Sequence, residues 1–594
     1  MNKKKKHSTL SNLVFAISWQ FRVAPFSMLY LLFEAVSSQV IALFEHTFLI
    51  AHIINCVEKG LGLKAIMQFL IPVALIVTIL QLIGSVWTSY MEPKFQAKMK
   101  KAVHLRLYEK AVSMDISKYD DSEFYNDFVW AMQKAPSHML EMWNTFSVLA
   151  SYVAVAVVAG VYVVSQDMIA LAMALIIAVS TYVIQSIINK WYMKREEELL
   201  PVSRRRDYIN RVFYLTDFVK DLKMSRMSPK LEKDFEQCSN EMESLIQKHG
   251  PKISALSVVG ASIGDVVYAG FYLTYLFYQA LVLGRFGLGS LLGIYNSTNQ
   301  MGNKLAGVVR MLPQFQQHSL YIEKMRTFLE AENSVSDTGT VSVPDAGDIV
   351  LEDVVFTYPE NEQPTINGVS MNIRRGEKIA LVGFNGAGKS TLIKLILRLY
   401  DPDSGCLRFA SNCVGDYPIA EYRNRFGVLF QDFEIIATDV KHNVNMSEDV
   451  FDEKRADEIF QKVAFAERLA TLPNGYDTQL TKEFDDKGIN LSGGEAQKIA
   501  LARVLYTDAN IIILDEPSSA LDPIAEYQLN KAVTELAEDK TVIIISHRLS
   551  TTRFVDTIYM MEQGKIIEQG NHKTLLARKG KYAEMFELQA EKYR

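Results

Sequence analysis

The feature that most restricts this chain is where its apolar residues fall: six runs long enough to cross a bilayer lie before about residue 315, and none lies after it. A membrane-spanning helix needs roughly 20 mostly apolar residues. The runs cover about 24–52, 65–90, 138–164, 167–189, 253–283 and 288–312. Soluble helices rarely stay apolar around their whole circumference, so a soluble helical bundle is a poor reading. The expectation is a multi-pass membrane domain over 1–330, a linker over 331–345 and a soluble domain over 346–594.

The connections set the orientation. Those after the second and fourth runs are long and basic, with Lys98, Lys100 and Lys101 in one and Arg204, Arg205 and Arg206 in the other. Those after the first, third and fifth are short: "CVEKGLGLK", "SQD" and "LGRFG". Basic loops stay in the cytoplasm, which places both termini there too. The long loops are helical in composition and are expected to extend the spans beyond the membrane. Ahead of the first run, about 10–22 reads as an amphipathic helix on the membrane surface, preceded by the basic tail Lys3 to Lys6. No small-residue cleavage site follows the first run, so a secretory signal does not fit. A net charge of −5 lacks the basic field of a nucleic-acid binder. The cysteines, Cys56, Cys238, Cys406 and Cys413, form neither a zinc pattern nor a disulfide framework, as suits a reducing compartment.

After about Val341 the pattern changes. "DIVLEDVVFTYP" alternates like a strand, "KIALVGF", "NIIILDEP" and "TVIIISH" read as buried parallel strands, and "MEQGKIIEQG" as a hairpin. "GFNGAGKST" follows one strand and opens the helix "TLIKLILRLY", the strand–loop–helix setting of a P-loop. Gly383, Asn385, Gly386, Ala387, Gly388, Lys389, Ser390 and Thr391 are therefore expected to hold nucleotide phosphates. Backbone N–H groups wrap the anion, Lys389 reaches the β/γ oxygens, and the Ser390 hydroxyl binds Mg²⁺. Asp515 ends the strand "IIILD", where it can hold Mg²⁺ through its water shell. The next residue, Glu516, can polarise the attacking water. Gln431 in "VLFQDF" can sense Mg²⁺ and that water, His547 in "IIISHRL" can reach the γ-phosphate, and Tyr358 in "FTYPE" can stack on adenine. A second Gly-rich helix start, Ser492, Gly493 and Gly494 in "INLSGGEAQKIALARVLY", is also an anion-binding arrangement.

The order of these elements resembles the ATP-binding cassette (ABC) family, and the six-span part resembles its exporter branch. The resemblance implies an α-helical six-span transmembrane domain with long cytoplasmic helical extensions, followed by an α/β P-loop ATPase domain. It implies ATP and Mg²⁺ as cofactors, and a partner that is a second copy of the chain or a related half-transporter. In such cassettes the "LSGG" element closes over ATP held by the partner's P-loop. Ser492, Gly493 and Gly494 are then contacts in trans, with Asp522 of "SALD" at the seam. Two departures stand out. Glu495 occupies a place where the family usually has Gln, and a carboxylate there weakens closure unless it points away. The segment "TKEFDDKG" lacks the usual glycine-containing coupling pattern. No catalytic residue is missing, which favours a homodimer with two working sites.

Cargo is harder to read. Glu34 and Glu45 lie eleven residues apart in the first span and share one face of an α-helix. Asp265 falls in the fifth span, and Asn296, Asn299 and Asn303 in the sixth. Polar groups at membrane depth usually face a bundle interior or wet cavity, so these six residues suggest an acidic, polar cavity for cationic or amphipathic cargo. "SKYDDSEFYNDF", "VLFQDF" and "SSALDPIAE" look similar to the lantibiotic and peptide exporters. The first span begins by about residue 24, leaving no room for an N-terminal protease, so another protein would remove any leader. The expectation is an exporter of a peptide or amphipathic natural product in a bacterial cell membrane, contacting membrane lipid and no nucleic acid. The alternatives are a multidrug or lipid exporter, or an ATP-gated channel or regulator of ABC type.

Overall fold

The computed structural model describes residues 7–359, 361–517, 526, 539–546 and 551–591. The chain divides into two compact units, Met1–Ser113 with Glu123–Ala331, and Met114–Ser122 with Glu332–Arg594.

Among its described residues, the regular structure of the first unit is helical. Among the described residues, four helical stretches are long and apolar enough to cross a membrane: Pro25–Glu58, Gly62–Ser113, Ala135–Gln166 and Met168–Leu199. Helices also cover the fifth and sixth runs, at Ser228–Asp265 with its continuation and at Leu288–Arg310. The helix Met168–Tyr214 runs through the basic loop, as expected of helices that outlast their spans. The spans are not uniformly α-helical. π-Helical turns interrupt them at Phe44–Leu49, Trp87–Met91, Val266–Tyr272 and Tyr278–Val282. Such turns hydrogen-bond from i to i+5 and shift the phase of the face that follows. Glycine permits the closest packing. At Gly307 a Cβ would lie 2.5 Å from the Tyr152 ring, so only a residue without a side chain lets that ring seat against the sixth helix.

The amphipathic segment forms a helix, Thr9–Val23, capped by the Ser8 side chain. It buries Asn12, Ala16 and Gln20, one stripe at a spacing of four, while Leu10 and Val14 are exposed on another side. The buried stripe is partly polar because it docks on protein. Asn12 Nδ2 donates to Ser319 Oγ at 3.0 Å and to Glu323 at 2.9 Å, both on the helix Leu312–Leu329.

The second unit holds two sheets. β1 (Ile349–Phe356), β2 (Ile366–Ile373), β4 (Ser404–Phe409) and β5 (Asn412–Cys413) form an antiparallel sheet in the order β2-β1-β4-β5. β3 (Lys378–Gly383), β6 (Phe426–Leu429), β7 (Ile511–Asp515), β8 (Thr541–Ile545), β9 (Thr557–Glu562) and β10 (Lys565–Gly570) form the other, in the order β10-β9-β3-β8-β7-β6. β3, β6, β7, β8 and β9 are parallel, and β7 and β8 are buried at every position, the signature of strands covered on both faces. β9 and β10 are the expected hairpin.

Two features differ from the sequence reading. Cys406 and Cys413 are joined as a disulfide, because the β4–β5 hairpin folds back over Ala410 and brings cysteines seven residues apart side by side. The short helix Ile116–Asp120, from the first long loop, groups with the second unit. Asp115 accepts the Val335 N–H at 2.7 Å, and the Tyr400 hydroxyl donates to the Asp120 carboxylate.

Candidate active site

β3 is apolar from Ile379 to Val382 and delivers the chain to Gly383, after which the helix Lys389–Ile396 begins. The turn between them needs glycine. Gly388 caps the helix at φ 101°, and a Cβ at Gly383 would lie 2.3 Å from the Met561 carbonyl oxygen. The cavity formed here is about 630 Å³. It is lined by Asn385, Gly386, Gly388, Lys389, Ser390 and Thr391 from the loop, and by Gln431 and Glu516 from the ends of β6 and β7. Residues far apart in sequence thus converge on one pocket.

Lys389 is buried, its Nζ donating to the carbonyls of Gly383 and Phe384 at 2.9 and 3.0 Å. Burial pushes its ammonium below the usual range, while Glu516 and Asp515 pull it back up. A phosphate is the natural charge partner for such a group. Ser390 Oγ donates to Asp515 Oδ2 at 3.2 Å, and Asp515 Oδ1 is buried with no hydrogen-bond partner. Burial is the main cause that raises the Asp515 carboxyl to about 6. A buried carboxylate oxygen with no donor, beside a serine hydroxyl, fits a hard divalent cation that takes oxygen ligands. Gln431 Nε2 donates to Glu516 Oε2 at 3.2 Å, and Gln497 Nε2 to the Glu516 carbonyl at 3.4 Å. Glu516 itself is held in left-handed backbone at φ 50°, a strained conformation for a residue with a Cβ. Tyr358 is fixed beside the loop, its hydroxyl 3.3 Å from Thr391 Oγ1. His547 and Asp522 lie outside the described residues.

The Asp515 geometry has a thermodynamic consequence. A carboxyl whose folded-state pKa is raised destabilises the fold above that pKa, and the penalty fades as pH falls towards the ordinary carboxylate range. Asp515→Asn is therefore expected to stabilise the nucleotide-free protein at pH 8 by about 1–2 kcal/mol. Thermal unfolding at pH 8 and again near pH 4 checks this, since the gain should shrink towards zero at the lower pH.

The second glycine-rich element forms the N-terminus of the helix Gly493–Tyr506, with Ser492 as N-cap. The Glu495 carboxylate turns back onto Ser492, accepting its backbone N–H at 2.8 Å and its hydroxyl at 2.9 Å, and completes a capping box. Arg468 Nε donates to the other oxygen of Glu495 at 2.6 Å. The Ser492 backbone N–H is the main cause that holds Glu495 below the usual carboxylate range, followed by the Ser492 hydroxyl and Arg468. The carboxylate is thus engaged with the cap and neutralised by Arg468. Ser492, Gly493 and Gly494 are not among the residues lining the P-loop cavity. Glu495→Gln preserves the cap and deletes the charge. For an anion bound at this helix start, the apparent KM for ATP is expected to fall by about two- to fivefold, the scale of a partly exposed charge interaction. Steady-state ATPase assays measure it.

In the membrane unit, the structure places the described candidate cargo residues as follows. Asn303 Nδ2 donates to Asn299 Oδ1 at 2.7 Å, and Asn296 Nδ2 donates to the His46 carbonyl at 3.0 Å. Glu34 and Glu45 are part-buried, and a change from α- to π-helical winding at Phe44 intervenes just before Glu45. The Asp265 side chain lies outside the described residues. Of the six, Asn303 lines a cavity of about 520 Å³, together with Tyr152, Gln300, Lys304 and Arg310. Sequence reasoning passed over Lys304 and Arg310, whose signal was two cations at the inner end of an otherwise amide-rich span.

Comparison with known proteins agrees with this geometry. Residues 366–519 match the family described as ABC transporter. The ATP-dependent lipid A-core flippase of Vibrio parahaemolyticus is 34% identical over 303 residues, 51% of each chain. That of Sodalis glossinidius is 31% identical over 355 residues, covering 59% of this chain and 60% of the relative. That of Escherichia coli is 30% identical over 361 residues, 60% of each. The chain thus spans about half to three-fifths of the length of these curated relatives. A solved bacterial Atm1-family ABC exporter with ATP bound superimposes with a TM-score of 0.77 over 96% of this chain and 98% of its own, at 21% identity. The peptide-exporter branch finds no support in these likenesses. The chain has the fold of a solved ABC exporter, with helices long and apolar enough to cross a membrane, and residues 366–519 of its C-terminal unit match the ABC transporter family.

Proposed function

We propose that the protein is an ATP-driven exporter that acts as a homodimer and carries a lipid-like amphiphile out of the cytoplasm. The observation that carries the ATPase reading is the convergence of Lys389, Ser390, Gln431 and Glu516 on one cavity, with Asp515 bonded to Ser390. In this reading Ser390 and Asp515 hold Mg²⁺, Glu516 is the general base, and Gln431 orients its carboxylate. Bound Mg²⁺ supplies charge neutralisation at the phosphates. Ser492, Gly493 and Gly494 complete the partner's site, and the ATPase unit and both termini lie in the cytoplasm.

For cargo, the lipid A-core flippases among the relatives favour a lipid over a peptide. The cavity beside Tyr152 supports the same choice. Lys304 Nζ sits 4.7 Å from the Tyr152 ring centroid and donates to Gln39 Oε1 at 2.6 Å, with Arg310 on the same wall. Two cations among amides and an aromatic ring suit an anionic headgroup with apolar tails nearby. The part-buried acids Glu34 and Glu45 support the second reading, a cationic peptide or drug.

The two readings separate in reconstituted vesicles. For an anionic amphiphile, Lys304→Gln and Arg310→Gln are expected to cut cargo-stimulated ATPase activity by about tenfold or more while basal activity persists. Glu34→Gln and Glu45→Gln should then change little. For a cationic cargo the pattern reverses, most steeply at low salt. Stimulation by acidic lipids that survives the loss of both cations would rule out the headgroup assignment.

A further inference from the structure

Beside the membrane-unit cavity, whose wall includes Thr145, three ligand-type side chains meet. His138 and Glu141 lie one helical turn apart on Ala135–Gln166, and His318 projects from Leu312–Leu329. His138 Nδ1 lies 3.0 Å from His318 Nδ1 and 3.2 Å from Glu141 Oε2, and His318 Nδ1 lies 3.9 Å from that same oxygen. Three atoms, two imidazole nitrogens and one carboxylate oxygen, therefore form a single small triangle. A zinc ion at its usual bond lengths has ligands about 3.4 Å apart along a tetrahedral edge. The observed sides bracket that value.

We propose that His138, Glu141 and His318 form a binding site for a divalent transition-metal ion, best matched by Zn²⁺. The surrounding hydrogen bonds prepare the right atoms. Thr145 Oγ1 donates to the Glu141 carbonyl at 3.0 Å, so towards His318 Nε2, also 3.0 Å away, it is an acceptor. The proton of neutral His318 is then on Nε2, and Nδ1 presents its lone pair to the triangle. An outer partner that fixes a ligand's tautomer is a recurring part of zinc sites. His138 is held in plane by Tyr321, whose ring is stacked on it at 4.0 Å with 2° between planes. His318 and His138 are 8% and 14% exposed as side chains, Glu141 56%, so the carboxylate side is open to solvent. That leaves a fourth position for water. Two imidazoles with one carboxylate select zinc-like ions over Mg²⁺ or Ca²⁺, which prefer all-oxygen shells. The ion would tie the start of the third span to the helix that follows the sixth.

The test uses the full-length, tag-free protein in lipid nanodiscs without nucleotide, in a Cys56→Ser background, because His52 and Cys56 lie 3.4 Å apart and offer a competing pair. Co²⁺ is titrated and its visible d–d absorption followed, then displaced with Zn²⁺. One tetrahedral Co²⁺ per chain is expected, with Zn²⁺ displacing it. His318→Gln should abolish the tetrahedral spectrum, and the exposed Glu141→Gln should weaken binding at least tenfold. Thr145→Val, which keeps all three ligands and removes only the tautomer-fixing hydroxyl, should weaken it about 10- to 100-fold. Absence of tetrahedral Co²⁺ in the parent protein overturns the proposal. Unchanged binding in both Glu141→Gln and Thr145→Val overturns it as well, and neither result depends on whether His318→Gln folds.

Discussion

Glu516→Gln is expected to slow ATP turnover by about 10²–10⁴-fold while ATP binding persists, the usual cost of losing a general base. The substitution keeps the shape of the side chain and its ability to accept from Gln431 Nε2, whose bond to Glu516 is 3.2 Å long. It leaves Lys389, Ser390 and Asp515 in place, and with them the groups proposed to hold phosphate and cation. The effect should therefore fall on kcat, with nucleotide affinity near the parent value. Because the residue sits in left-handed backbone at φ 50°, Glu516→Gly tests a second point. Both variants lose the base, but glycine alone relieves the Cβ strain, so a comparison of their thermal stabilities separates backbone strain from chemistry. Near-normal steady-state hydrolysis by Glu516→Gln would falsify the assignment of the base.

The proposed trans-sharing of the ATP site makes an all-or-none prediction. A chain with Ser492→Arg and a chain with Lys389→Ala should each be inactive alone. In a mixed dimer, one composite site survives: the Lys389 of the Ser492→Arg chain faces the Ser492 of the Lys389→Ala chain. ATP-dependent closure, read by a distance probe on the ATPase units, is expected in the mixed dimer and in neither parent. The absence of Ser492, Gly493 and Gly494 from the lining of the chain's own P-loop cavity motivates the experiment. Full hydrolysis by a stable monomer would show that both halves of the site come from one chain.

The parts of the site that were legible in sequence are those dictated by the backbone. A run such as Ile511–Leu514 can be buried only in a covered strand, and the glycines at 383 and 388 answer to a local backbone demand, positive φ of 152° and 101°. Long-range pairings were not legible. Arg468 neutralises Glu495 across 27 positions, and His138 meets His318 across 180, with no periodicity to mark either. The Cys406–Cys413 bond was missed for a local reason: a two-residue β5 after a tight turn leaves too short a pattern to read as a hairpin. The π-helical turns escaped because an apolar run looks the same at either winding. The amphipathic helix Thr9–Val23 was found by its period, but its buried side is partly polar because its partner, Leu312–Leu329, offers Ser319 and Glu323.

Tyr400 joins two neighbourhoods of the ATPase unit. Its hydroxyl holds Asp120, while its ring lies 5.5 Å from that of Tyr358 and 5.2 Å from that of Phe356. Lys394, from the helix that begins at the phosphate loop, sits within 5.8 Å of both tyrosine rings. A base stacked on Tyr358, as proposed from the sequence, would press on a block of closely packed rings. Residues 114–122, held by that block, continue without a break into Glu92–Ser113 on one side and into Ser122–Gln133 on the other. The tyrosine hydroxyl thus knots residues 114–122 to the ring block beside the phosphate loop, within the second unit.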